Sequence, residues 1–310
     1  MPPVEKVPYD EFGLFHENAA EFGLPYEGPP SVHRDSFEVG PGRRLSALVW
    51  GVAEPELVLL HGGAQNAHTW DTVAMALGRP LVAFDLPGHG HSDGGEGGRL
   101  DPVGNARDVA TAMRALAPDA RAVVGMSLGG ATALALAAHA PDLVRSLVLV
   151  DITPGVDARK ASSIISFVNG PESFDSFDDL LARTMAFNPT RSESSLRRGI
   201  LHNALQRDDG TWVWRYARHR PVTDAATPEP TAPLTAEPDF GSLWDVVSGL
   251  TVPLMLVRGM LPQSVVDDAD EAELLRRRPD ARVHHVEGAG HSIQGDKPLE
   301  LAALLDDFVG

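Results

Sequence analysis

The stretch Gly125-Met126-Ser127-Leu128-Gly129 sets a serine between two glycines, each two residues away. It follows the short apolar run Ala122-Val123-Val124 and opens an alanine-rich stretch, Leu128 to Ala140. That context predicts a sharp strand-to-helix turn in which the serine takes a strained backbone conformation and its hydroxyl is pushed out of the fold. A serine hydroxyl is a poor nucleophile at neutral pH and needs a neighbouring base. Among the 12 histidines, His291 fits that task. It lies in the glycine-bracketed loop Gly288-Ala289-Gly290-His291, just after the last expected strand, and imidazole can accept the serine proton and return it to a leaving group. His61, His89 and His91 lie in loops at the same sheet edge and read as structural or pocket-lining; His284 and His285 sit within a strand.

Composition narrows what such a serine could act on. The chain has 310 residues, no cysteine, and 43 acidic against 26 basic side chains, for a net charge of −17. That charge argues against nucleic acid or an anionic membrane as partner and leaves a small molecule. Without cysteine there is no disulfide, thiolate metal site or cysteine nucleophile, which fits a cytoplasmic protein. No apolar stretch with a basic leader opens the sequence, and no run approaches the roughly 18 apolar residues of a membrane helix. No metal is expected, since His89 and His91 have only Asp85 and Asp93 as nearby carboxylates. No nucleotide cofactor is expected either, since Gly88, Gly90, Gly94 and Gly95 do not form a G-x-G-x-x-G turn between a strand and a helix.

The elements that must position these groups alternate. Ser36 to Val39 and Leu45 to Val52 read as a hairpin across Pro41-Gly42. Strands are expected at Glu56–Leu60, Pro80–Asp85, Arg121–Gly125 and Ser146–Val150. Helices are expected at Thr69–Leu77, Asp101–Leu116 and Leu128–Ala140. Continuous apolar strands separated by helices imply a parallel sheet covered on both faces. The rhythm breaks over 154 to about 240, where helical segments (Ala158–Asn169, Phe177–Ala186, Glu193–Gln206) and a Pro/Thr-rich loop, Pro221–Asp239, replace strands. It returns with helices at Ser242–Ser248, Ala269–Arg277 and Leu299–Phe308 and strands at Pro253–Val257 and Arg282–Val286. A helical insertion therefore divides one sheet domain, giving an extension (1–33), a core (34–153 and 241–310) and an insertion (154–240). Within the extension, Tyr9 to Leu24 reads as a short amphipathic helix, with Phe12, Leu14, Phe15, Ala19 and Phe22 on its apolar side.

Four motifs in order carry a resemblance to the cap-bearing members of the α/β-hydrolase family. They are His61-Gly62-Gly63 after a strand, Asp85 to Ser92 (D-x-x-G-x-G-x-S) after the next, the turn at Ser127, and Gly288-Ala289-Gly290-His291 after the last strand. The resemblance covers roughly residues 36 to 310. It implies an α/β fold with a mostly parallel eight-stranded sheet flanked by helices, and an inserted helical cap over the pocket. It implies Ser127 as nucleophile, His291 as base, and the backbone N–H groups of Gly63 and Leu128 as the oxyanion hole. The family's usual acid follows the strand before the histidine, where this chain has Pro262. Asp151, at the end of the strand after the serine's helix, is the favoured substitute, with Asp267 and Asp268 as alternatives. Trp70, Met126, Phe167, Met185, Trp212 and Trp214 are the expected substrate-facing residues. The implied activity is hydrolysis of an ester, thioester or lactone of a small apolar acid. A C–C bond hydrolase with the same triad, and a non-catalytic ligand-binding protein on the same fold, are the alternatives.

Overall fold

The computed structural model describes residues 6–94, 101–216 and 240–310, so the expected loop Pro221–Asp239 lies outside the described residues. In chain order the strands are β1 (Val32–Gly40), β2 (Arg43–Trp50), β3 (Leu57–Leu60), β4 (Leu81–Phe84), β5 (Ala122–Met126), β6 (Leu147–Val150), β7 (Ala204–Gln206), β8 (Trp212–Trp214), β9 (Leu254–Gly259) and β10 (Arg282–Val286). The helices are α1 (Phe15–Phe22), α2 (Asp71–Leu77), α3 (Pro102–Leu116), α4 (Leu128–His139), α5 (Ser162–Val168), α6 (Phe177–Phe187), α7 (Glu193–Asn203), α8 (Leu243–Gly249), α9 (Asp268–Arg277), α10 (Ile293–Asp296) and α11 (Pro298–Val309).

Eight strands form one sheet in the order β1-β2-β4-β3-β5-β6-β9-β10, antiparallel at β1/β2 and β2/β4 and parallel at every other pairing. The central strands β3, β4, β5 and β6 are buried along their whole length, as their unbroken Val/Leu/Ala runs require of strands covered on both faces. One face packs against α3, α4 and α8, through residues such as Val109, Met113, Leu134 and Val247. The other packs against α1, α2 and α11, through Phe15, Trp70, Val73 and Leu301. Parallel order brings the C-terminal ends of β3, β5, β6, β9 and β10 to one edge, where ligands bind in open α/β sheets.

The insertion has a small core of its own, made of Phe174, Leu180, Ile200, Leu201, Ala204 and Trp212, with Tyr9 and Leu14 of the N-terminal segment packed against it. Three expectations are corrected here. The helix expected to run through Gln206 stops at Asn203, and β7 and β8 then form an antiparallel hairpin. Its turn uses Gly210 at φ 93°, and its far strand is Trp-Val-Trp, which suits a half-buried pleated surface better than a helix. The helix expected from Ala158 begins only at Ser162, because Asp157 first caps a turn by accepting from the Arg159 and Lys160 amides. The N-terminal helix is confined to Phe15–Phe22, closed by Gly23 in the left-handed region at φ 66°.

Candidate active site

Only three non-glycine residues among those described have a positive φ, namely Ala64 (62°), Ser127 (52°) and Asp151 (48°), and all three stand at the C-terminal edge of the sheet. Backbone strain of this kind persists only where the surroundings over-determine it, and it clusters at functional sites.

Ser127 sits between β5 and α4 with ψ −119°. A Cβ on Gly125 would collide with the Gly129 carbonyl, and one on Gly129 with the Leu60 carbonyl, so both glycines are required by the close approach of strand and helix. The Ser127 carbonyl accepts from the Gly130 and Ala131 amides, which commits it to the first turn of α4 while its side chain faces a cavity.

His291 follows β10 and faces the same cavity. Its Nδ1 is 2.9 Å from Oδ2 of Asp151. Asp151 is fully buried at the end of β6, where its carboxylate also accepts from the Gly259 amide (3.0 Å), the Val265 amide (3.0 Å) and the Ser264 hydroxyl (2.6 Å). A carboxylate tied by three other donors and acting as acceptor makes His291 Nδ1 the donor, which leaves Nε2 as the free lone pair of the ring. The loop after β9, which holds Pro262, thus supplies donors to the Asp151 carboxylate from Ser264 and Val265. Asp267 and Asp268 lie elsewhere. Asp267 caps α9 and pairs with Lys160, and exposed Asp268 pairs with Arg258. The Ser127 hydroxyl itself makes no protein hydrogen bond among the described residues.

The loop after β3 is held from three sides. Gln65 Oε1 accepts from the Gly62 amide at 3.1 Å, His89 Nε2 accepts from the Ala64 amide at 3.1 Å, and Asn203 Nδ2 donates to the Ala64 carbonyl at 2.7 Å. The amides of Gly63 and Leu128 take part in none of these bonds, and both residues line the cavity. His61 and His89 are neutral wedges in this frame. Burial lowers both, His89 to about 3 and partly through the neighbouring His61. Each then donates from Nδ1 to a carbonyl, of Gly62 and Pro87 respectively, and accepts an amide at Nε2. Gln65, Ala64 and Asn203 were not singled out by sequence. The Ala64 strain and the Asn203 contact from the insertion have no local signature.

The cavity has a volume of about 470 Å³, within the range of small-molecule sites. Of the residues expected to face substrate, Met126, Phe167 and Trp214 line it. Trp70 is fully buried in the sheet core, Trp212 lies in the insertion's own core, and Met185 is turned outward at 37% exposure. Trp70, in the turn before α2, and Trp212, on β8, each face a packing surface, and Met185 on α6 faces solvent. The walls also include Ile164 and Phe187 of the insertion, with Phe187 stacked on Phe167 at 4.3 Å, and Asn18 and Phe22 of α1.

Beside the cavity is a buried polar cluster. His68 Nδ1 is 2.9 Å from Asp71 Oδ2, its Nε2 is 3.1 Å from Glu11 Oε1, and its ring stacks on His202 at 3.8 Å. Ligand-type atoms of His68, Asp71 and His202 lie within 4.8 Å of one another and could hold a metal ion. The rings are parallel, at 12°, so their in-plane lone pairs do not converge on one point, and the arrangement fits an ion pair better. Burial alone would push the His68 imidazole down, but the Asp71 and Glu11 carboxylates overcome it and hold it at about 9. Burial pushes His202 well down, so the stack carries one charge. A folded pKa above the unfolded value gives stability that is complete below about pH 6.5 and lost as pH rises through about 9. His68→Gln is therefore expected to lower the melting temperature clearly at pH 6 and by progressively less between pH 7 and pH 10. A deficit constant across that range would refute the charged state.

Comparison with known proteins gives a consistent picture. A model of the Alpha/beta hydrolase family matches residues 57–304. The esterase Rv0045c of Mycobacterium tuberculosis (strain ATCC 25618 / H37Rv) is 46% identical over 304 residues, covering 96% of this chain and 94% of that protein. Its crystal structure superposes with a TM-score of 0.81 at 44% identity, over 98% of this chain and 99% of that one. The pimeloyl-[acyl-carrier protein] methyl ester esterase of Aeromonas hydrophila is 30% identical over 259 residues, 83% of this chain and 96% of that protein. The crystal structure of E-2-(acetamidomethylene)succinate hydrolase has a TM-score of 0.74 at 25% identity, over 90% of this chain and 99% of that one. Among the described residues no helix is long and apolar enough to cross a membrane.

Proposed function

The chain belongs to the alpha/beta hydrolase family and is a hydrolase, and from that premise we propose that it cleaves carboxylic esters through a Ser127–His291–Asp151 triad and an acyl-enzyme. The observation that carries the reading is the 2.9 Å bond between His291 Nδ1 and the buried Asp151 carboxylate, beside a strained serine in the same cavity. In this mechanism Asp151 holds the imidazole in one tautomer, so that Nε2 takes the Ser127 proton as Oγ attacks the substrate carbonyl. The Ser127 hydroxyl and His291 Nε2 come within hydrogen-bond reach once substrate occupies the cavity, as in other serine hydrolases whose resting sites are loosely aligned. The amides of Gly63 and Leu128 receive the negative oxygen, aided at Leu128 by the N-terminus of α4. Collapse of the tetrahedral intermediate expels the alcohol, which takes the proton from His291. Water, deprotonated by the same nitrogen, then releases the acid. A thioester or lactone would follow the same course.

The insertion acts as a cap in this reading, supported by the share of the cavity wall it contributes through α5, α6, α7 and Trp214. It excludes water from the acyl-enzyme and selects the acyl chain. The esterase names of the relatives at 46% and 30% identity favour an ester over a C–C bond. The test is a panel of p-nitrophenyl esters beside a vinylogous diketone of the ring-fission type, with labelling of Ser127 by a fluorophosphonate. Turnover of the diketone alone would assign the C–C reaction, and no labelling with no turnover of either would remove the triad.

Cap selectivity makes a graded prediction. Phe167→Ala enlarges the apolar wall where Phe167 stacks on Phe187, and should cost roughly tenfold in kcat/KM for a butyrate ester while shifting the optimum to longer acyl chains. Met185→Ala, on the outer face of the same insertion, should change neither by more than about twofold. A chain-length profile of both variants reads the difference.

A further inference from the structure

Two arginines line the cavity, and they are held differently. Arg198 on α7 pairs with Glu17 and Glu21 of the N-terminal segment. Arg191, just before α7, has no carboxylate within ion-pair distance among the described residues. Its Nη2 donates to the Ser195 hydroxyl at 2.5 Å, and its Nε, buried, has no partner. The guanidinium lies on Gly295 of α10, where a Cβ would stand 2.8 Å from Cζ and Nη1, so the absent side chain is what admits it. The neighbouring Asp296 is occupied, since one oxygen accepts from the Gly290 amide at 2.8 Å and the other from the Thr190 hydroxyl at 3.1 Å. Burial pulls the Arg191 pKa down, only partly offset by Asp296, yet a guanidinium remains charged at any working pH.

A desolvated cation without a bonded anion is costly and is not kept without a reason. In a chain of net charge −17, the reason is not a shortage of acidic side chains to pair with it. The rest of the wall is largely apolar, with Ile164, Phe167, Phe187 and Trp214. Gly295 is four residues beyond His291, so the guanidinium rests on the segment that leaves the proposed base, roughly one helical turn away. We propose that Arg191 is the specificity-determining residue for an ester that carries one carboxylate at the end of an otherwise apolar acyl or alcohol chain. A guanidinium presents a planar fork that matches a carboxylate. A phosphate monoester fits less well, because the single Arg191 guanidinium does not neutralise its second charge. The proposal rests on the ester-hydrolase reading for its kinetic test but not for its binding test.

The kinetic test uses two pairs of esters in which an isopropyl group replaces the carboxylate. On the acyl side the pair is p-nitrophenyl hydrogen glutarate and p-nitrophenyl 5-methylhexanoate. On the alcohol side it is 2-carboxyethyl butyrate and 3-methylbutyl butyrate. The expected result is that the wild-type protein favours the carboxylate member of one pair by about tenfold or more in kcat/KM. In Arg191→Gln that ratio should fall about 10- to 100-fold, the range of a charge-assisted hydrogen bond, and in Arg191→Lys by less. Ratios equal in wild type and Arg191→Gln for both pairs would overturn the proposal. Glutarate itself, titrated calorimetrically, should bind the wild type and not Arg191→Gln; equal binding, or none to either, would also overturn it. If no ester is cleaved, the ester reading fails and this titration still decides Arg191. Should the glutamine variant not fold, as circular dichroism would tell, the lysine variant carries both measurements.

Discussion

Ser127→Ala should lower kcat/KM for p-nitrophenyl butyrate by about 10³-fold or more and abolish covalent labelling by a fluorophosphonate. The magnitude follows from what is removed. Without Oγ no acyl-enzyme forms, and the remaining catalysis is what the proposed oxyanion amides and substrate positioning give a direct attack by water. Folding should be little affected. The loss of one small polar atom that faces a cavity and makes no protein hydrogen bond among the described residues leaves no buried partner of these unsatisfied. A melting temperature within a few degrees of wild type, together with lost activity, separates chemistry from stability. Undiminished turnover in the variant would remove Ser127 from the mechanism, whatever its backbone geometry.

Asp151→Asn tests the softer member of the proposed triad. The expected fall in kcat is about 10³- to 10⁴-fold, because an amide in that place can hold the imidazole in the wrong tautomer, with its proton on the nitrogen that should receive one. Asp151 also accepts from the Gly259 and Val265 amides and the Ser264 hydroxyl, so the substitution has a structural cost as well. A buried acceptor replaced by a donor leaves at least one of these unpaired, at about 1–3 kcal/mol. The pH profile separates the two effects, since a wrong tautomer lets activity recover partly at high pH, where hydroxide can serve as base, and a loosened loop does not. Asp267→Asn is the matched control. That carboxylate caps α9 and pairs with Lys160, so its loss should lower the melting temperature slightly and leave kcat within about twofold. A collapse of activity in Asp267→Asn with none in Asp151→Asn would reverse the assignment.

The two carboxylates also show where the sequence stops being legible. Asp151 and Asp267 both precede His291 and both can serve as caps, with Asp151 directly after β6 and Asp267 at the far end of the loop that follows β9. Chain position favours Asp151, but nothing local to either residue shows which one lies beside the imidazole. The selection is made by the pairing of β6 with β9, and by a loop after β9 that folds back so that Ser264 and the Val265 amide meet the Asp151 carboxylate. Pro262 looked like a missing part when only the family pattern was considered. In three dimensions its loop holds the acid supplied by the neighbouring strand.

The six expected substrate-facing residues divide for a similar reason. Phe167 and Trp214 line the cavity, whereas Trp212, two residues along the same strand, fills the insertion's core. Residues two apart on a strand share a face, so alternation groups the two tryptophans; what separates them is their place along it, with Trp212 against Phe177 and Trp214 beside Phe167 at the cavity. The N-terminal segment carried no chemical signal at all, yet Asn18 and Phe22 stand on the cavity wall and Glu11 meets His68.

The sequence by itself determined the alternating architecture, the strained turn at Ser127 and the histidine at the same edge. These follow from apolar run length, glycine spacing and the order of the elements along the chain, all of which the sequence displays directly. Only the tertiary structure decided which carboxylate hydrogen-bonds His291, which aromatic side chains surround the cavity, and that Arg191 reaches it without a bonded carboxylate among the described residues. Each of these depends on contacts between distant segments, such as Asp151 and His291, 140 residues apart, and such contacts are set by how buried surfaces fit together, which no short stretch of chain records.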